Sequence, residues 1–192
     1  MKRAVISGFS GTEWSYLANK TWPLMEQYAY RCLASFRGVS LRHGGRPPAW
    51  GKLTAIAEGL AENDEVLWID TDVSVANATK NIFDELADGV HSGMCWLDDD
   101  SGNGHFNTGV WLVRRKFMPH IVTAAMMDEF VNHGWWEQAA VIAVIERECV
   151  PVQRLQEMWN VWSGSKDVDS PQFFHACGLG SVESRIKWLG LE

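Results

Sequence analysis

Short apolar runs alternate with stretches in which apolar residues recur at helical spacing along this 192-residue chain. Helical spacing predicts α-helices at 49–62, 118–133 and 136–148. Thr21, followed by Pro23, is predicted to cap the start of an earlier helix. The apolar runs predict strands at 3–9, 66–70, 93–97, 108–113, near 149–152 and at 172–177. This alternation predicts one α/β domain with a Rossmann-like, mostly parallel central sheet and helices on its faces.

The length and composition agree with a globular domain. Hydrophobic residues make up 46% and charged residues 21% of the chain, and it contains no apolar run long enough for a membrane span. No signal peptide is recognisable at the start, which instead has the pattern of a first strand. The four cysteines lie far apart and form no CxxC pair. We therefore expect a reduced, cytoplasmic protein without a membrane span.

The net charge of −7 is unevenly distributed. Basic residues dominate the first 52 positions, whereas acidic residues are concentrated between 53 and 108. An acidic middle segment argues against a nucleic-acid-binding surface there, since such surfaces need positive charge. The same segment suits a site for a divalent cation, although most of its carboxylates are expected to lie on a solvated face.

The segment VLWIDTDVSV, residues 66–75, places Asp70 and Asp72 at the end of an apolar run. In an extended chain, residues two apart point to the same side, so both carboxylates are expected to face one pocket. Their repulsion would be relieved by Mg²⁺ or Mn²⁺, which prefer oxygen ligands. The alternative interpretation is a turn in which these residues cap a following helix.

Two enzyme classes use paired aspartates in this way. One comprises metal-dependent phosphatases of the haloacid-dehalogenase type, with sugar nucleotidyltransferases as a related possibility, and the other comprises nucleotide-sugar transferases. The phosphatase motif normally opens its fold, whereas here a strand and two helices are predicted before it. A third alternative is a non-catalytic carbohydrate-binding domain, because the chain has eleven tryptophans.

Four segments in order resemble the GT-A glycosyltransferases, over roughly residues 48–178. They are PPAWGKLTAIAEGLAENDEVLWIDTDV, HFNTGVWLVRR, GWWEQAAV and FFHACG. The resemblance is strongest to the retaining galactosyl/xylosyl-transferase group and the glycogenin-like glycosyltransferases. It implies a GT-A fold and transfer of a hexose or pentose from a nucleotide-diphosphate sugar, with a UDP-sugar favoured, to a carbohydrate or other hydroxyl acceptor.

The resemblance also implies roles for individual residues. Asp70, Asp72 and His175 correspond to the metal ligands, and the imidazole makes Mn²⁺ a better expectation than Mg²⁺. Gln138, Glu137 and Asn107 correspond to residues near the reacting carbon of the donor sugar, where Asp98 is a further candidate for holding sugar hydroxyls. Donor and nucleotide binding is assigned to Ser7, Gly8, Lys52, Asp70 and Gly178.

The chain departs from the family pattern after the histidine. A lysine that binds the diphosphate is expected there, but Ser181 stands at the usual place, so that Arg185 or Lys187 would have to substitute.

Residues 1–75 are expected to form the nucleotide-binding half, and residues 90–192 the half that binds donor sugar and acceptor. Candidates for an acceptor surface are Trp135, Trp136, Trp159 and Trp162, with core packing as the alternative.

Overall fold

A six-stranded sheet forms the centre of the protein, for which a computed structural model describes residues 1–98, 104–165 and 167–192. Its strand order is β2-β1-β3-β6-β5-β7. The strands are β1 (Arg3–Phe9), β2 (Ser35–Ser40), β3 (Glu65–Ile69), β5 (Ser92–Asp98), β6 (Gly104–Arg114) and β7 (Val152–Leu155). Only β6 runs against its neighbours, so the sheet is mostly parallel as the sequence predicts.

Five helices accompany the sheet in the described part of the chain. They are α1 (Thr12–Arg31), α2 (Gly51–Glu62), α3 (Met118–Ala125), α4 (Trp136–Glu148) and α5 (Val182–Trp188). Short 3₁₀-helical turns lie at Pro48–Trp50, Ile82–Asp84, Arg115–Phe117, Asp128–Phe130 and Glu157–Trp159. Within the described ranges, no helix combines the length and apolar character needed to cross a membrane.

Each face of the sheet is covered by its own apolar core. Trp68 of β3 packs with α2, α3 and α4 on one face, whereas Leu67 of the same strand packs with Met25 and Tyr28 of α1 on the other. Every residue of β3 is buried for this reason. A strand covered on both faces has a continuous apolar pattern, which explains why the run before Asp70 is easy to find in the sequence.

The predicted start of the first helix is wrong. Helix α1 begins at Thr12, and Thr21 lies in its interior, where its hydroxyl donates to the backbone oxygens of Leu17 and Thr71. Pro23 also lies inside the helix, although a proline is usual in a first turn. The polar Thr21 therefore serves a tertiary contact with the aspartate segment, which local sequence rules do not detect.

Other differences concern short or irregular elements. Helix α3 ends at Ala125, and a 3₁₀ turn replaces the predicted continuation to residue 133. The sequence pattern does not predict β2, which is exposed and mostly polar, or the seven-residue α5. It also missed most of a second sheet of order β4-β9-β8, with β4 at Val73–Val75, β8 at Val161–Trp162 and β9 at Phe173–His175.

This second sheet positions the later part of the chain against the aspartates. Strand β4 pairs with β9 in antiparallel register, with Val73 opposite His175. The backbone N–H of Ala176 donates to the carbonyl oxygen of Asp72 at 2.9 Å. His175 is therefore fixed next to Asp72 by backbone pairing, despite their separation in sequence.

Candidate active site

The two aspartates lie in a tight turn at the carboxyl end of β3. The Asp70 N–H donates to Gly109 of β6 at 2.7 Å, and the carbonyl oxygen of Asp70 accepts from the Val73 N–H at 3.0 Å. The expected extended alternation of Asp70 and Asp72 is therefore wrong, because the chain turns here. The alternative of a turn is right about the backbone, but strand β4 follows in place of a capped helix.

His175 completes a cluster with the two carboxylates. Its Nε2 lies 3.4 Å from Asp72 Oδ1 and 4.0 Å from Asp70 Oδ2. One ligand atom from each of the three residues lies within 4.8 Å of the others. Two carboxylates and an imidazole have the donor chemistry of a site for a divalent metal ion.

Gly109 makes room for the imidazole. A Cβ atom built on Gly109 would lie 2.1 Å from His175 Cε1, which is far inside van der Waals contact. In the structure, the group that uses this space is the side chain of His175.

A cation lies beside each aspartate. Arg185 Nη1 is 2.6 Å from Asp72 Oδ2, and the same atom also donates to the carbonyl oxygen of Ala176. The guanidinium group lies over the ring of Trp14. Lys187, the other candidate to replace the missing lysine, is exposed and lies outside the cleft.

Lys52 of α2 is the cation beside Asp70. Its Nζ lies 3.0 Å from Asp70 Oδ1 and 3.0 Å from Glu137 Oε1, and it donates to Thr108 Oγ1 at 3.1 Å. Burial alone would lower the pKa of Lys52, but the two carboxylates outweigh burial and raise that pKa. The ammonium group is therefore fully engaged, and it links α2, β3 and α4 at one point.

Asp72 and His175 shift each other's pKa. Burial by itself raises the pKa of the Asp72 carboxyl, but His175 and Arg185 hold it below its usual range. Burial alone would lower the pKa of His175, whereas the side chains of Cys177 and Asp72 raise it well above its usual value. The ionised Asp72 carboxyl and the protonated form of His175 therefore favour each other.

Asn107 and Gln138 are in direct contact. Asn107 Nδ2 donates to Gln138 Oε1 at 3.2 Å, and the backbone N–H of Thr108 donates to the same oxygen at 3.0 Å. Glu137 precedes Gln138 on α4 and is buried against Lys52. The structure thus brings all three predicted catalytic residues to one place beside the metal cluster.

These groups line a cleft of about 890 Å³. Of the predicted site residues, those on its wall are Gly8, Lys52, Asp70, Asp72, Asn107, Glu137, Gln138, His175 and Gly178. Ser7 does not line the cleft, because it is fully buried and its hydroxyl accepts from Trp22 Nε1 at 3.0 Å. The side chain of Asp98 lies outside the described part of the protein.

Three of the four tryptophans named as acceptor candidates line the same cleft. Trp135, Trp136 and Trp162 contribute to its wall, whereas Trp159 is fully buried in the core. The sequence analysis also missed Asn160, a fully buried residue that contacts both His175 and Asn107. No local pattern marks it, since its role depends on elements distant in sequence.

The fold is that of solved glycosyltransferases. A glycosyltransferase involved in glycosylation of the major capsid of PBCV-1 matches with a TM-score of 0.79 and 18% identity over 100% of both chains. The galactosyltransferase LgtC, in complex with donor and acceptor sugar analogues, matches at 0.64 and 14%, over 97% of this chain and 95% of that one. A Drosophila galactosyltransferase 7 mutant, in complex with manganese, UDP-Gal and xylobiose, matches at 0.59 and 15%, over 92% and 71%.

No protein-family model and no curated protein sequence matches the chain. The likeness therefore lies in the three-dimensional structure, and it confirms the predicted GT-A fold.

Proposed function

We propose that this protein is a metal-dependent glycosyltransferase that moves a hexose or pentose from a nucleotide-diphosphate sugar, with UDP as the favoured nucleotide, to a carbohydrate or other hydroxyl acceptor. The observation that carries the proposal is the cluster of Asp70, Asp72 and His175 in a cleft of a glycosyltransferase fold. The Drosophila neighbour, described with manganese and UDP-Gal, supports both the cofactor and the donor class.

Asp70, Asp72 and His175 would hold Mn²⁺, or Mg²⁺ in its place. Bound there, the ion would neutralise negative charge that develops on a diphosphate leaving group. Arg185 already lies against Asp72 and is the cation best placed to bind the diphosphate, in the role of the missing lysine. Gly8 and Gly178 offer backbone on the same cleft wall for nucleotide contacts.

Gln138 and Asn107 would orient the donor sugar. The backbone N–H of Thr108 fixes Gln138 Oε1, so that its Nε2 is left to donate towards His105 and the cleft. Lys52 and Glu137 neutralise each other and act by holding Asp70 and the start of α4 in place. Retention of configuration remains part of the proposal, with the acceptor hydroxyl attacking from the face of the leaving group.

The division of labour along the chain is also a proposal. Residues 1–75 would bind the nucleotide, and residues 90–192 would bind the donor sugar and acceptor within one domain. The fold counts against the phosphatase alternative, which the sequence left open. In addition, Asp70 is engaged by Lys52 and by Trp68 Nε1, which leaves it poorly suited to act as a free nucleophile.

The direct test is turnover of UDP-galactose, UDP-glucose, UDP-N-acetylglucosamine and UDP-xylose, followed as UDP release with Mn²⁺ or with a chelator. We expect release from at least one donor that requires the metal and is lost in Asp72→Asn. Release of inorganic phosphate from sugar phosphates, without turnover of any donor, would contradict the proposal. Glu58→Gln, which alters an exposed ion pair with Arg37, is the matched control.

A further inference from the structure

Two indole rings stand open to solvent at the start of α4. Trp135 is 46% exposed and Trp136 is 45% exposed, and both line the cleft that contains the metal cluster. Large apolar side chains are usually buried, so adjacent exposed indoles on the wall of this cleft are candidates for contact with a ligand.

Neighbouring rings contact Trp135, and Trp136 has an unusual backbone conformation. The ring of Trp135 lies 4.0 Å from that of His105 and 5.7 Å from that of His133, measured between centroids. Trp136 has a φ of 45°, in the left-handed region of backbone conformation that is unfavourable for a bulky residue. Such backbone strain is typical of functional sites, and here it directs the chain into Glu137 and Gln138.

The chemistry of this part of the cleft suits a sugar ring. An indole offers an apolar face against which the C–H groups of a pyranose can pack. His105 and Gln138, which contact each other at 3.3 Å, offer polar atoms for hydroxyl groups beside the rings. The hydrogen-bonding capacity that these two side chains keep beyond their mutual contact suits hydroxyl groups, which a saccharide offers and an acyl chain does not.

We propose that Trp135 and Trp136 form an acceptor subsite that binds a carbohydrate. This inference rests on the proposed function, because it places the acceptor next to Gln138 and the metal cluster. It also names the substrate class: the acceptor is a saccharide whose ring stacks on indole, and not a side-chain hydroxyl of a peptide.

The test uses an array of oligosaccharides carrying each common terminal hexose and pentose, together with serine- and threonine-containing peptides. We expect saccharide binding that falls about tenfold or more in Trp135→Ala and Trp136→Ala, and less in Trp135→Phe. Tyr30→Ala is the control, since Tyr30 is 82% exposed and lies outside the cleft.

Equal saccharide binding by the alanine variants, or binding to peptides alone, would overturn this inference. On the same variants, we measure how far UDP with Mn²⁺ raises the midpoint of thermal unfolding. We expect this rise to match that of the parent protein. Saccharide binding without any response to UDP would leave the subsite standing and would refute the proposed donor. The two proposals can therefore fail separately.

A second inference concerns the buried Asn160. It rests on the hydrogen bonds of this side chain and does not depend on the indoles. Asn160 Oδ1 lies 2.9 Å from His175 Nδ1, and its Nδ2 lies 2.8 Å from Asn107 Oδ1. The side chain of Asn160 thus joins the candidate metal ligand to strand β6.

Backbone groups determine which way each amide points. The N–H of Gly109 can only donate, and it donates to the Asn107 side chain at 2.9 Å, which identifies that acceptor as Oδ1. The Asn160 group facing this oxygen must then be its NH₂, so its oxygen faces His175. His175 Nδ1 must therefore carry a proton, and the lone pair of the neutral imidazole lies on Nε2, towards Asp70 and Asp72.

We infer that Asn160 is a positioning residue that sets the tautomer and the ring orientation of His175 for metal binding. This role deepens the proposed function without depending on transfer, because metal binding is measured without a sugar donor. Removing such a partner typically lowers metal affinity by about 10–100-fold.

The test compares Asn160→Ala with Asn160→Asp and with the control Asn63→Ala, whose residue caps the distant end of α2. Free Mn²⁺ is counted by electron paramagnetic resonance, and a protected Nδ1 proton of His175 is sought by ¹H–¹⁵N NMR of the Zn²⁺-loaded protein. We expect Asn160→Ala to lose this proton signal and about 10–100-fold in affinity. Asn160→Asp keeps the acceptor and should keep the signal.

Parent-like affinity in Asn160→Ala would overturn the role. If that variant does not fold, absence of the protected proton in a folded Asn160→Asp would overturn it equally. Either result would be independent of whether the protein turns over a nucleotide sugar.

Discussion

At the residue scale, each aspartate of the turn after β3 already faces a cation of the chain. Asp70 lies against Lys52, and Asp72 lies against Arg185 and His175. These pairs explain why two carboxylates are tolerated one residue apart before any metal is considered. A metal ion would have to share Asp72 with Arg185 or displace it.

The raised pKa of His175 makes metal binding sensitive to pH. A proton and a metal ion compete for Nε2, and the neighbouring Cys177, Asp72 and Asp70 surround the same imidazole. We expect the affinity for Mn²⁺ to increase as pH rises from the usual pKa of histidine to the raised value. Calorimetry in buffers of different ionisation enthalpy should show proton release on binding, and its absence in that range would contradict this account.

The same shift has the opposite effect on the metal-free fold. A raised pKa stabilises the folded state below the ordinary pKa of histidine, and this contribution is lost as pH rises through the raised value. We expect urea unfolding of the metal-free protein to show this loss, and His175→Gln should abolish it. A free energy of unfolding that increases over that range in the parent protein would contradict the assignment.

The site could be predicted at the residue scale only in part. Asp70 and Asp72 were found from the apolar run before them, and His175 was added by resemblance to a family. The structure brings these three together with Asn107, Glu137 and Gln138. Asn160 had no signal, because its function depends on two hydrogen bonds to residues on other strands.

At the element scale, strand β3 carries a buried carboxylate at its start as well as an aspartate beyond its end. Glu65 is buried and pairs with Arg3 at 3.0 Å and Arg114 at 3.1 Å. It lies at the end of the strand opposite Asp70, so its role is structural.

We expect Glu65→Gln to lower the free energy of unfolding by about 2 kcal/mol, because it leaves two partly buried arginines without a charged partner. Chemical denaturation measures the loss, and Glu58→Gln at an exposed pair should change stability by less than about 0.5 kcal/mol. The response to UDP and Mn²⁺ should persist in both variants. If only Glu65→Gln lost the response to UDP and Mn²⁺, the residue at the start of β3 would also be needed for the site at its end, which would contradict a purely structural role.

Strand β6 must also lack a side chain at Gly109. In Gly109→Ala, the new methyl group would overlap His175, so we expect destabilisation of about 1–3 kcal/mol together with weaker Mn²⁺ binding. Gly134→Ala is the matched control on the same cleft, since nothing lies within 4 Å of its Cβ position. Equal Mn²⁺ affinity for the parent protein and Gly109→Ala would refute the close packing described here.

Elements with a strong apolar pattern were predictable, and those defined by tertiary contacts were not. The predictions for β1, α2, β3 and α4 are confirmed, because their buried faces impose a regular pattern. The two- and three-residue strands β8 and β4 have too few positions to show a period. Their existence depends on pairing with β9, which only the folded chain provides.

At the scale of the whole molecule, two sheets meet at the cleft. The large sheet supplies Asp70 and Asn107, and the small sheet supplies His175, with Lys52 and Glu137 from helices on one face. The site therefore forms only when the first and last parts of the chain are both folded. All four cysteines are free in the structure, and the cytoplasmic location inferred from their spacing stays a prediction.

The central claim is that this assembled cleft binds a nucleotide diphosphate through a metal ion. Its most direct test is a thermal-unfolding panel of UDP, GDP, ADP and CMP, each with and without Mn²⁺, because a ligand of the folded state raises the midpoint. We expect a rise with UDP that requires Mn²⁺ and disappears in Asp72→Asn. No shift with any nucleotide, or an equal shift in Asp72→Asn, would contradict it.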